Sequence, residues 1–202
     1  MLVFSCSSCA SPVSHHGPET ATAKSVVLQA KDVPSVQKCP QSDRWAALML
    51  NGQPEMLPTG FATWADLKAA GATEAWLSLF SDIESECPLL LGNAPPKGRL
   101  VYTAAIKFND ASSAAGSFAS GSQHFPVGAD FAARFAAAGG RETMGPTTGF
   151  GANSAVATIA VRGVPTYVAY WQNKNFDVVI YADNLSASEA ASAVTRMNAR
   201  IH

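Results

Sequence analysis

The chain is poor in charge and has no long apolar run. Its 14 basic and 15 acidic side chains make up 14% of 202 residues and nearly cancel, leaving a formal net charge of −1. That is about half the usual globular share of charge. The charges are scattered, with neither a Lys/Arg stripe nor an acidic block. This excludes the electrostatic footprint of a nucleic-acid binder or of a protein held to an anionic membrane by charge. No stretch approaches the ~20 apolar residues of a membrane-spanning helix, so the folded part reads as a soluble domain.

Catalytic signatures are missing as well. A serine hydrolase needs its nucleophile on a G-x-S-x-G elbow; the nearest stretch, GSFASG at 116–121, has the wrong spacing and falls at a helix end. GFGANS at 149–154 imitates the start of a dinucleotide fingerprint, but it opens a strand where the phosphate mechanism needs a helix N-terminus. Its glycines read as a turn. Histidine is scarce: His15 and His16 lie near the N-terminus, His202 is the last residue, and His124 sits in a Gly/Pro-flanked loop. Asp82, Glu84 and Glu86 form a carboxylate cluster without the spacing of a calcium loop, and they read as a helix cap and a solvated face. No cofactor is expected, and the chain is expected not to be an enzyme. The alternative is an enzyme whose groups no motif reveals, such as Glu74 or Asp177 in a cleft.

What is present points to export. Met1-Leu-Val-Phe-Ser-Cys6 ends like the cleavage site of a bacterial lipoprotein signal, with an aliphatic residue at minus three, a small one at minus one, and Cys6 as the residue to be lipidated. Only five residues precede Cys6, too few for a signal's charged start and apolar stretch, so the rest is expected upstream of a misassigned or truncated start. The plain alternative is an ordinary terminus with incidental cysteines. Ser7 to Ser25 is rich in Ser, Thr, Pro and Ala and lacks periodicity, which makes residues 1–25 a disordered, tether-like segment. Residues 26–202 are then a single domain, long enough to bury about 70% of its unfolded surface.

Of the four cysteines, Cys39 and Cys87 are the natural pair inside the folded region, 48 residues apart. Such a loop is worth about 4 kcal/mol in the chain-entropy account and belongs to an oxidising compartment. Two reduced, buried thiols in a cytosolic protein are the alternative. Cys6 and Cys9 with His15 and His16 are chemically adequate ligands for zinc or copper, though adjacent histidines in a spacer are usually just solvated.

Patterning predicts an α+β domain with a mainly antiparallel sheet of about four to six strands and helices packed on one face. Strands are expected over 74–80, 100–108, 154–161, 166–172 and 176–182, the last three as a meander with short connections. Helices are expected over 42–50, 63–70, 81–91, 110–120, 131–138 and after Ser186, whose capping box to Glu189 opens an apolar stripe of Ala190, Val194, Met197 and Ile201. The strand–helix unit of 100–120 echoes the closing unit of 176–201, and both helices are expected on the same sheet face. Trp76, Tyr167 and Trp171 form the possible ligand face; they are either core under helices or, if the face is open, the wall of an apolar or sugar-binding cleft.

Four stretches carry a resemblance: Leu28-Gln-Ala-Lys-Asp-Val-Pro34 leading to Cys39-Pro40, Gly71-Ala-Thr-Glu-Ala-Trp-Leu-Ser-Leu-Phe80, Ile106-Lys-Phe-Asn-Asp110, and Gly149-Phe-Gly-Ala-Asn-Ser154. Over most of residues 26–202 the chain resembles uncharacterised exported α+β domains of bacterial lipoproteins. The resemblance implies fold and compartment, and no chemistry. The expected role is an extracytoplasmic, envelope-anchored module for binding or sensing, meeting the membrane only through a lipid anchor. It would bind no nucleic acid and would take a small molecule or another envelope protein as partner; a structural or protein-interaction lipoprotein is the second reading.

Overall fold

The structure is a computed structural model that describes residues 21–42, 64–91, 95–121, 136–161 and 163–202. One antiparallel sheet organises it. Strands β1 (Gln37–Lys38), β2 (Ala72–Ser81), β3 (Leu100–Phe108), β4 (Arg141–Met144), β5 (Ser154–Val161), β6 (Val164–Asn173) and β7 (Phe176–Asp183) lie in the order β1-β2-β3-β7-β6-β5-β4. Among the described residues the α-helices α1 (Ala23–Val26), α2 (Trp64–Ala69), α3 (Ala111–Gly121) and α4 (Ala187–Asn198) accompany them. The short helix expected over 81–91 is a 3-10 helix over Glu84–Leu91 with Pro88 inside it. The α+β class and the β5–β6–β7 meander are as expected.

The sheet has seven strands, more than the four to six expected. The additional strands are its two edges. β1 is two residues long and fully exposed, and β4, RETM, has no apolar alternation. Both form by backbone pairing to a neighbour, β1 to β2 and β4 to β5, which side-chain periodicity does not report.

The expectation of helices on one face is corrected too. Strand register sorts the side chains into two faces. Phe80, Val101, Ala105, Tyr167, Ala169, Trp171, Val178 and Ile180 share the first face, together with Ala190, Ala193, Val194 and Met197 of α4 and the residues following α1. Leu77, Leu79, Leu100, Tyr102 and Ala104 lie on the second face with Cys39 and Cys87, and Phe108 clusters with Ala114 of α3 and Leu67 of α2. Strands apolar on both faces need cover on both, so α1 and α4 cover one side and α2, α3 and the 3-10 helix the other.

Local capping sets the helix ends. The Ser186 hydroxyl accepts from the Glu189 N–H while the Glu189 carboxylate accepts from the Ser186 N–H, the expected box at the start of α4. Asp110 Oδ1 accepts from Ser113 N–H at 2.7 Å and starts α3. Gly71 stops α2 with φ +94°, and a side chain there would press on Ser113 Oγ. Ser42 is buried and its hydroxyl accepts from Leu79 N–H; the rest of the helix expected over 42–50, the Thr63 cap and most of the helix over 131–138 lie outside the described residues.

The folded region reaches further upstream than residue 26. Ala21 and Ala23 are buried, and α1 opens with a capping box between Thr22 and Ser25. The segment after α1 is clamped by the C-terminus. The Arg200 guanidinium donates to both oxygens of Asp32 (2.9 and 2.8 Å) and to the carbonyls of Val26 and Val27. The Asp32 side chain is 1% exposed, so this guanidinium is what makes its burial tolerable.

Candidate functional site

Cys39 follows β1, and Cys87 lies in the 3-10 helix above the same sheet face. The two are joined as a disulfide, with Cα atoms 5.7 Å apart and both residues 2% exposed. The bond ties the N-terminal segment to the helix that follows β2. The carboxylates beside it hold backbone: Glu86 accepts from Lys97 N–H and Gly98 N–H, and Asp82 from Arg99 N–H. They cap a loop, and among the described residues no three His, Cys, Asp or Glu side chains converge as a metal site requires.

The three aromatics of the expected ligand face share one face, but they do not share an environment. Trp171 is 0% exposed beneath α4, and its indole N–H donates to Asn198 Oδ1 at 3.0 Å. Tyr167 is 4% exposed, and burial pushes its phenol up to about 12. The apolar stripe of α4 requires the strip of sheet that these rings floor, so both are core.

Trp76 alone of the three lines open space. The period of β2 puts Glu74, Trp76, Ser78 and Phe80 on one face, next to the short edge strand. The chain around α1 runs alongside and leaves a cleft of about 180 Å³ lined by Trp76, Ser78, Leu28, Gln29, Lys24 and Lys38. The Lys24 ammonium stands 4.8 Å above the centre of the Trp76 ring. At that range the ring quadrupole attracts a cation. The cleft combines an aromatic wall, an apolar end at Leu28 and two ammonium groups, which suits a small molecule with an apolar body and an anionic head. Glu74, named as a hidden catalytic group, instead anchors backbone, its Oε2 accepting from Ala23 N–H at 2.9 Å.

Asp177 lies on the opposite face beneath α3. It is 1% exposed, and Tyr170 donates to its Oδ2 at 3.3 Å. Oδ1 has no hydrogen-bond partner among the described residues. Burial pushes the carboxyl up to about 7, with the Ser117 and Tyr170 hydroxyls pulling it part of the way back. Burial, helped by the charge of Asp177, pushes the Tyr170 phenol well above its usual range. Phe118 of α3 stacks on the Tyr170 ring, centroids 4.7 Å apart. Neither Asp177 nor Glu74 lines the Trp76 cleft or the shallow depression at Pro40, Ile83 and Pro88.

No protein-family model matches the chain, and no curated protein sequence matches it. Its fold is similar to the extracellular domain of PknH from Mycobacterium tuberculosis. That likeness covers 91% of this chain and 100% of the other, at 13% identity and a TM-score of 0.49.

Cys6, Cys9, His15, His16 and His124 lie outside the described residues. The Lys24–Trp76 pairing was not foreseen, because Lys24 falls in the stretch assigned to the tether. The one signal for it was the run Val26-Val27-Leu28, whose burial draws the residues just before it onto the sheet.

Proposed function

We propose that this protein works outside the cytoplasm as an envelope-anchored, non-enzymatic binding module, with the Trp76 cleft as its ligand site. The buried Cys39–Cys87 disulfide carries this reading. Structural disulfides persist where the surroundings are oxidising and are rare in reducing cytosol. The lipoprotein-like end at Cys6 and the Ser/Thr/Pro/Ala-rich stretch after it supply the anchor and the spacer. A lipid on Cys6 would hold the domain at a membrane; among the described residues no helix is long and apolar enough to cross one.

The cleft favours binding over turnover. Among the described residues its polar side chains are two ammoniums, an amide and the buried Ser78 hydroxyl, and no carboxylate or imidazole lines it. The test is a two-dimensional NMR titration with small aliphatic and aromatic carboxylates and phosphate monoesters. The Trp76 indole N–H and the amides of 24–30 should shift together and saturate, and Trp76→Ala should abolish the response. Shifts absent across the whole set would retire the cleft and leave a structural or protein-interaction role. Incorporation of a labelled fatty acid that disappears in Cys6→Ser tests the anchor separately.

A further inference from the structure

Helix α3, ASSAAGSFASG, carries no charged side chain. It buries Ala114 and Phe118 and lies over a carboxylic acid. We propose that α3 is a proton-linked flap, seated on the sheet while Asp177 is protonated and loosened when Asp177 ionises. This does not depend on the compartment or on the Trp76 cleft.

The argument starts from what faces Asp177. Its side chain is 1% exposed, and its Oδ1 has no hydrogen-bond partner among the described residues. A buried carboxylate is tolerated when a cation or several N–H groups meet it. Neither is present among the described residues. β3 places Ile106 opposite it, and β6 turns Gln172 and the Tyr170 phenol toward it. α3 contributes the Ser117 hydroxyl, and the next same-face residues of β7 are Val179 and Tyr181.

The nearby charges are committed elsewhere. Lys107 points to the other face, where its ammonium donates to the Ala21 carbonyl and stands over the Phe176 ring. Asp110 accepts from Ser113 N–H at the start of α3, and Lys174 is exposed in the hairpin turn. Asp183, at the far end of β7, bonds Thr166. Tyr170 is thus the titratable side chain bonded to Asp177 among the described residues, and Tyr181 lies two same-face positions further along β7.

The two protonation states therefore differ in what they offer α3. The neutral acid needs no counter-charge and can donate to a hydroxyl such as that of Ser117. The ionised one is an acceptor with one oxygen unmet, and it gains water only if α3 lifts. Phe118, stacked on Tyr170, moves with the helix, so the aromatic contact is lost in the same event. Burial raises the carboxyl toward neutrality, which sets the transition in an accessible pH range.

The test is amide hydrogen exchange on the full chain, with α4 as internal reference so that the chemical pH dependence of exchange cancels. From about pH 5.5 to about pH 8, protection of α3 relative to α4 should fall ~10-fold. In Asp177→Asn, which keeps the shape and stays neutral, the ratio should not change. An unchanged ratio in the wild type would overturn the proposal, as would a fall that persists in Asp177→Asn. Carbon-13 titration of the Asp177 carboxyl decides independently if that variant fails to fold. A midpoint above ~6 supports the flap, and one in the ordinary Asp range near ~4 overturns it.

Discussion

Two strand–helix units of the chain, β3 with α3 and β7 with α4, are written alike and finished differently. Each has an aromatic and aliphatic strand, a polar turn residue and a helix of small residues. The two strands are antiparallel neighbours, yet their helices cover opposite faces. α4 seals an apolar floor in which Trp171, Val178 and Ile180 are fully buried, and it is locked at its end by Arg200 on Asp32. α3 covers a floor that includes Asp177 and has no charged side chain to answer it. A helix's own sequence does not say how firmly it is held. The parity of the strand beneath decides that, by choosing which side chains it meets.

The comparison makes predictions that can break it. The largest effect should come from Trp171→Ala, which empties the floor under α4 and removes the donor to Asn198. A loss of about 3–5 kcal/mol is expected in urea unfolding. Phe118→Ala on the α3 side should cost clearly less, since that ring is smaller and is 7% exposed where it stacks on Tyr170; equal losses would erase the distinction. Arg200→Ala leaves the buried Asp32 carboxylate without its counter-charge, held among the described residues only by the Gln29 N–H, and should cost about 3 kcal/mol. The lower end of the usual range applies because Arg200 itself is 21% exposed.

Asp177→Asn sharpens the comparison through pH. The folded carboxyl is held near 7 and the unfolded one near 4, so between these values the native state binds more protons. Stability from this group is therefore full below pH ~4 and is lost as pH rises to ~7. About 4 kcal/mol should disappear across that window in wild-type thermal unfolding and not in Asp177→Asn. The smallest effect is expected from Ser186→Ala, about 1 kcal/mol, from the loss of the N-terminal cap of α4.

Much of this fold was legible because its central strands are short aliphatic and aromatic runs bounded by turn residues. Leu100–Phe108 and the three strands of the meander follow from those runs and their short connections, and the Ser186 box follows from local hydrogen-bonding chemistry. The edges were not legible. Gln37–Lys38 and Arg141–Met144 are strands because a neighbour offers them backbone partners. The choice of helix face was hidden for a related reason: β3 and β7 are apolar on both sides, so neither helix had a unique place to go. Parity alone put Trp76, Tyr167 and Trp171 on one face, but not what lay on top of them. Trp171 and Tyr167 became core because α4 brings its stripe there, while Trp76 stays open because β1 beyond it is only two residues long. By sequence the acid at 177 is a catalytic possibility; the burial that distinguishes it comes from α3, which is remote in the chain.

The extracytoplasmic reading stands on the sulfur pair, and thiol trapping in intact cells tests it most directly. Cells that make the full chain would be treated with a membrane-permeant alkylating reagent before lysis, then reduced and labelled with a second reagent, with Cys39 and Cys87 read by peptide mass spectrometry. The account predicts that both carry only the second label, having been bonded when the cells were broken. Both carrying the first label would mean free thiols in the living cell, and would contradict it.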